Sequence, residues 1–304
     1  MLTEQQSFPL PTKEKRLATK MELTFKEFLR GGKEQLAAAG FAEVEAEHLL
    51  AHTLGLSRMD LHNPLTVENA LSAIGDMAVV EETFWKLLDR RCAHEPLQYL
   101  TGVAYFRHLE IKVGPGVLVP RPESELLVEA ALTYIEKIDG PVSVVDLGSG
   151  SGALALSIAT EAPTTHVIAV EKSADAIYWL KENVSFIDEK VRILESDVST
   201  ALEGVKCDVV IANPPYLPDS EELPRDVTEH EPAVALFGGS DGMKTPRLFL
   251  STAARLLKPG GFLAIEHHES QGQKIADVIS EDFTGIVLHE DLTGRPRFTT
   301  AIRR

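Results

Sequence analysis

From Leu23 to about Arg91, apolar residues recur at helical spacing: Phe25, Leu29 and Leu36, then Val44, His48 and Leu49, and later Phe84, Leu87 and Leu88. A helix brings positions three and four apart onto one face, so the pattern predicts a small helical domain over residues 23–94. Gly40, Gly55, the Asn63–Pro64 pair and Gly75 fall between the runs, where helix ends and turns are expected. From Glu95 to Pro122 the texture changes to short β-like runs, YFRHLEIKV and VLV, broken by glycines and prolines. That segment reads as a β-hairpin linker, residues 95–122, between two domains.

Beyond Glu123 the period alternates between helix and strand. Helices are predicted over Ser124–Ile138, Ala153–Glu161, Ala174–Phe186, Lys244–Leu257 and Gln271–Glu281, separated by the runs VSVVDLG, VIAVE, VRILESD, DVVIANPP, FLAIEHH, GIVLHED and FTTAIRR. Such alternation indicates an α/β fold over residues 123–304, with a mostly parallel sheet covered on both faces. The turn LTGRPR before the last strand is too short for a parallel crossover, so that strand is expected to run antiparallel to its neighbour.

Composition narrows the class. A 304-residue chain that is 44% hydrophobic suits packed cores, and no apolar run approaches the roughly 20 residues of a membrane helix. The first 22 residues are polar and lack the apolar middle of a secretory signal, so they read as a flexible extension of a cytoplasmic protein. Cys92 and Cys207 have no metal-ligand spacing and are expected to be buried, reduced thiols. Of the net charge of −16, residues 1–120 carry −3 (13 basic, 16 acidic) and the remainder −13 (17 basic, 30 acidic). Nucleic-acid binding draws on phosphate neutralisation by Lys and Arg, so this balance argues against DNA or RNA as substrate and favours a basic partner. No membrane association is expected, and monomer is the default state.

Three motifs carry chemistry. In VVDLGSGSGALALSIA an apolar strand enters a glycine-rich turn and then a helix; Gly148, Gly150 and Gly152 allow a tight turn and the close approach of a ligand. The same residues satisfy a dinucleotide pattern, but Asp146 at the turn would repel a pyrophosphate and favour the cationic amino end of S-adenosylmethionine. Glu171, ending the next strand, is placed to hold ribose hydroxyls, a feature NAD would share. Asp197 and Val198, after the third strand, suit the adenine amino group and ring face.

The motif that decides between readings is Asn213-Pro214-Pro215-Tyr216 at the end of the fourth strand. Two prolines fix the chain direction and leave carbonyls without competing backbone donors. An amide nitrogen is a poor nucleophile. If its two N–H groups donate to the Asn213 side-chain oxygen and the Pro214 carbonyl, it gains electron density and is aimed at a methyl group. Tyr216 is suited to stack on the planar amide. No nucleophilic side chain or tuned base is needed, because the proton on the product can leave to water. Adjacent residues on a strand face opposite sides, so His267 and His268 are not expected to share a metal, and no metal site is foreseen.

Taken together, EPLQYLTGVAYF, GVLVPRPESELLVE, VVDLGSGSGALALSIA, ANPPYLP, EPAVALFGGSDGM and GGFLAIEH resemble, in the same order, segments of the HemK/PrmC family of protein-(glutamine-N5) methyltransferases. The resemblance spans roughly residues 24–303. It implies a helical amino-terminal domain for release-factor contact, a hairpin linker and a seven-stranded, Rossmann-like methyltransferase domain ordered 3-2-1-4-5-7-6. It also implies methyl transfer to the glutamine of the Gly-Gly-Gln motif in class 1 peptide-chain release factors. On this reading Asp146, Gly148, Ser149, Gly150, Ser151, Gly152, Glu171, Asp197, Val198 and Asn213 border S-adenosylmethionine, and Asn213, Pro214, Pro215 and Tyr216 hold the glutamine. The PRPESE stretch, Pro120 to Glu125, would border the cofactor pocket, unless Arg121 and Glu123 form a structural ion pair. Glu171 departs from the shorter Asp also common there. The nearest rival is an adenine-N6 nucleic-acid methyltransferase, which shares NPPY; a silent binding module and a dehydrogenase fit less well.

Overall fold

Asn63 and Pro64 show how local chemistry sets the first elements: the Asn63 side chain accepts from the Leu65 amide and Pro64 occupies the first helical position, starting a helix where its missing donor costs nothing. The computed structural model describes residues 13–187 and 190–304, and the chain divides into two compact units at Thr101/Gly102. The first contains α1 (Lys13–Ala38), α2 (Val44–Leu54), α3 (Pro64–Ile74), α4 (Met77–Cys92) and α5 (Leu97–Thr101). Gly55 and Gly75 close α2 and α3 in the left-handed conformation. Leu36, Leu49, Leu50, Phe84 and Leu88 form the core of this unit, whereas Val44, at the first turn of α2, is exposed. The start of α1 lies inside the segment expected to be an extension; the rest of that expectation, residues 1–12, lies outside the described residues.

The second unit opens with an antiparallel hairpin, β1 (Val103–Phe106) and β2 (Leu109–Lys112). A 3₁₀ turn, Pro122–Ser124, then leads into α6 (Glu125–Ile135), so the predicted Ser124–Ile138 helix is shorter than expected. There follow β3 (Ser143–Leu147), α7 (Ala153–Glu161), β4 (His166–Glu171), α8 (Ala174–Ile187), β5 (Val191–Glu195) and β6 (Cys207–Ala212). The long loop after β6 carries a short helix, α9 (Arg225–His230), that periodicity did not reveal. The last elements are α10 (Lys244–Leu256), β7 (Leu257–Glu266), α11 (Gly272–Ile279), β8 (Phe283–Glu290) and β9 (Pro296–Arg303).

Seven strands form one sheet in the order β5-β4-β3-β6-β7-β9-β8, the 3-2-1-4-5-7-6 arrangement. The first five are parallel and β9 runs antiparallel to both β7 and β8. Its tight entry is held by Asp291, whose carboxylate accepts from the Thr293 and Arg295 amides and from the Arg297 guanidinium. Val145, Leu147, Val210, Leu263 and Ile265 are nearly inaccessible, as strands covered on both faces require. Cys207 belongs to this core and burial pushes its thiol up to about 12; Cys92, by contrast, is only half-buried. Among the described residues no helix is long and apolar enough to cross a membrane.

Candidate active site

Chain order reverses direction at β3, with β4 on one side and β6 on the other, and ligands of open α/β sheets bind beyond the strand ends at such a switch point. A cavity of about 600 Å³ lies there, a volume ordinary for a small-molecule site. Its wall includes Gly148, Ser149, Gly150 and Ser151 after β3, Glu171 at the end of β4, Asp197 and Val198 after β5, and Asn213 and Pro215 after β6. Four strand ends thus bring together most of the residues singled out from the sequence. Four stand back from the wall: Asp146, Gly152, Pro214 and Tyr216.

The turn after β3 works through its backbone. Gly148, Gly150 and Gly152 all have positive φ, at 70°, 55° and 87°. A Cβ at Gly150 would meet only Val117 Cγ2, at 4.0 Å, so the missing side chain is what leaves the cavity open at that point. Glu171 stiffens the turn: its Oε2 accepts from the Gly150 amide at 2.9 Å, and Oε1 from the Lys172 and Ser173 amides at 2.7 and 2.9 Å. A carboxylate has about four acceptor positions, so one remains for a ligand hydroxyl. Asp197 caps its own loop through Oδ1, which takes the Ser199 amide and hydroxyl, and these bonds hold its carboxyl below the usual range.

Asp146 lies beneath this turn rather than in the wall. It is completely buried, and neither carboxylate oxygen has a hydrogen-bond partner among the described residues. Burial raises its carboxyl to about 7, against the pull of the nearby Ser149 hydroxyl and Ala155 amide, with the Glu171 charge adding a smaller push upward. Another buried group that motif reading missed is Asn183 of α8, which bridges Lys112 of the hairpin to the Ser151 carbonyl.

On the opposite side, the Asn213 amide is oriented by a neighbour 89 positions away: Nδ2 donates to Ser124 Oγ at 3.0 Å. Ser124 in turn donates to Glu266 Oε2, and Glu266 Oε1 accepts from the Tyr216 hydroxyl at 3.0 Å. Asn213 Oδ1 is left as a free acceptor, and no hydrogen bond among the described residues engages the Pro214 carbonyl. Burial pushes the Glu266 carboxyl upward, against its bonds to Ser124 and Tyr216 and the Arg297 charge. Burial and the Glu266 charge also push the Tyr216 phenol well above its ordinary range, so it stays protonated and donates. Tyr216 is thereby tied through its hydroxyl, and it is not part of the cavity wall.

The backbone of this tetrapeptide is clamped from the far side of the long loop. Leu217 and Phe237 form a parallel bridge, with the Leu217 amide on the Leu236 carbonyl at 3.0 Å and the Gly238 amide on the Leu217 carbonyl at 2.8 Å. Gln271 donates to the Tyr216 carbonyl at 2.8 Å. Gly242 has φ 68°, and a Cβ there would collide with the Tyr216 carbonyl and lie 2.6 Å from Gln271 Nε2. Gly242→Ala is therefore expected to cost about 2–3 kcal/mol, from the left-handed conformation and the forced shift together. Chemical denaturation checks this, and an unchanged midpoint would show that the loop relaxes freely.

Arg121 is paired with Glu231 at 2.6 Å, not with Glu123, the alternative left open for this stretch; the Val119 amide reaches the same carboxylate at 3.4 Å. This contact ties the cavity-lining segment around Arg121 to the loop carrying Pro232 and Val234. His267 and His268 are engaged separately, with Thr299 and with Ser270. Local periodicity gives no sign of a role for Ser124, Glu266 or Gln271; the signal for the first two lay in their segments, PRPESE and GGFLAIEH.

Two family models match the chain: "PrmC N-terminal domain" over residues 27–102 and "Methyltransferase small domain" over residues 123–230. The release factor glutamine methyltransferase of Streptomyces coelicolor is 40% identical over 278 residues, covering 88% of this chain and 94% of its own. That of Moorella thermoacetica is 39% identical over 292 residues, covering 93% and 99%. Among solved structures, a Thermus thermophilus 16S rRNA N2 G1207 methyltransferase in complex with AdoMet and guanosine aligns at a TM-score of 0.49 and 23% identity, over 66% of this chain and 50% of that one. With this identity extending across both units, the chain belongs to the release factor glutamine methyltransferase family.

Proposed function

We propose that the protein transfers a methyl group from S-adenosylmethionine to the side-chain nitrogen of the glutamine in the Gly-Gly-Gln motif of class 1 peptide-chain release factors, in the cytoplasm. The observation that carries this reading is the Asn213 amide, pinned through Nδ2 with Oδ1 free, in the same cavity as the glycine-rich turn. An amide that is held to accept, beside a second free carbonyl at Pro214, matches a carboxamide bearing two N–H donors.

The cavity fits the donor on two counts. An unpartnered carboxylate at Asp146, buried beneath the turn, supplies negative charge behind the wall on which an ammonium would rest, and Gly150 offers backbone where a side chain would obstruct. When bound, S-adenosylmethionine supplies a sulfonium-borne methyl that needs no further activation. Glu171 keeps one acceptor position for a ribose hydroxyl, and Val198 presents an apolar face for the adenine. Asn213 Oδ1 and the Pro214 carbonyl accept the two N–H groups of the glutamine, orient its nitrogen and draw more strongly as that nitrogen becomes tetrahedral. Tyr216 contributes by locking the loop through Glu266. The proton left on the product nitrogen departs to water.

The test is peptide mapping by mass spectrometry after incubating enzyme, isotopically labelled donor and a release factor. One label on the Gly-Gly-Gln glutamine is expected, and none on DNA oligonucleotides. Label on adenine with none on the release factor would overturn the assignment.

A further inference from the structure

We infer that Ser124 is a positioning residue for methyl transfer: with Glu266 as its anchor, it fixes which end of the Asn213 amide faces the substrate. The inference rests on the reading of Asn213 given above. An asparagine side chain is nearly symmetric in shape, and only its hydrogen-bond partners distinguish the oxygen from the nitrogen end. One orientation presents an acceptor to the incoming carboxamide; the other presents a donor against its donors.

With Glu266 ionised, the form that the adjacent Arg297 charge favours, the chain of bonds allows one direction only. Glu266 is 1% exposed and receives two hydroxyls, Ser124 on Oε2 and Tyr216 on Oε1. A carboxylate only accepts, so the single Ser124 hydroxyl hydrogen is committed to Glu266. Ser124 Oγ then has only lone pairs to offer Asn213, which must present Nδ2, as it does at 3.0 Å. Oδ1 is thereby held toward the cavity. The elements cooperate for a topological reason: Glu266 ends β7, Asn213 follows β6 beside it, and Ser124 closes the 3₁₀ turn that enters α6. Ser124 is itself 4% exposed, and its hydroxyl has both partners within the protein, so burial keeps water from substituting for either.

The experiment compares Ser124→Ala, Ser124→Thr, Asn213→Ala and the double variant Ser124→Ala/Asn213→Ala, measuring kcat and KM on a release factor and donor affinity by calorimetry. Removing the lock lets the Asn213 amide turn over, so Ser124→Ala is expected to lower kcat about 10- to 100-fold, with KM and donor affinity within about 3-fold. Ser124→Thr keeps the hydroxyl and should retain most of the turnover. In the Asn213→Ala background the Ser124→Ala change should cost nothing further, because the group it positions is gone. Wild-type turnover in Ser124→Ala, or a loss that multiplies fully onto that of Asn213→Ala, would overturn the inference. A wild-type enzyme that leaves release-factor glutamine unmethylated would instead sink the functional reading beneath it.

Discussion

Asn213→Ala is expected to lower kcat on a release factor by about 10²- to 10³-fold, the cost typical of deleting one preorganised hydrogen-bonding group that acts on developing charge. The physical reason is the division of labour within one side chain: Nδ2 is spent on Ser124 and only Oδ1 remains for substrate. Alanine removes that acceptor and leaves the Pro214 carbonyl alone, so the amide nitrogen is neither polarised nor aimed. The glycine-rich turn follows β3, and Glu171 ends β4 on the side of β3 away from β6; both keep their own bonds, so donor affinity should stay within about 3-fold of wild type. Single-turnover rates with saturating donor, paired with calorimetric donor binding, separate the two effects. Turnover within a factor of two of wild type would remove Asn213 from the mechanism; a collapse of donor affinity would make it a cofactor residue instead.

The order of elements in the second unit was legible because each carries its own period. VVDLG and VVIA read as covered strands, Lys244–Leu257 as a helix, and LTGRPR as a hairpin turn, each from its neighbours alone. The ends of strands are equally local, which is why Gly148, Glu171 and Asn213 were found to share a cavity wall. What escaped is what depends on contacts distant in sequence. Ser124 meets Asn213 across 89 positions and Glu266 across 142, and Arg121 meets Glu231 across 110. Neither partner of such a pair has a spacing that marks it. Short elements escaped for a related reason: α9 has no buried residue and so no periodic apolar face to read. Tyr216 shows a third limit. Its place in the motif suggested a stacking face and gave no sign that Glu266, 50 positions away, holds its hydroxyl.

Asp146→Asn should make the protein without donor more stable at alkaline pH and weaker at holding S-adenosylmethionine. The sign follows from linkage. A carboxyl that titrates at 3.8 when unfolded and at about 7 when folded leaves the native state holding the extra proton between those values. Stability therefore falls as pH rises from 4 to 7, by about 4 kcal/mol at roughly 1.4 kcal/mol for each tenfold change in proton affinity, and is flat above. Asparagine copies the shape of the neutral acid and cannot ionise, so the variant lacks that slope. At pH 8.5 it should exceed wild type by about 2–4 kcal/mol, the lower figure allowing for two amide hydrogens with no partner in a buried site. Near pH 4 the two should converge or the variant should be weaker. An added ammonium beside Asp146 would favour its charged form, so donor binding should stabilise wild type most above pH 7 and the variant little at any pH. Thermal melts of both proteins from pH 4 to 9, with and without donor, display all of this. The carboxylate that costs the fold most is then the one that the donor's positive charge relieves, and parallel pH–stability curves for the two proteins would show that Asp146 is neither strained nor poised.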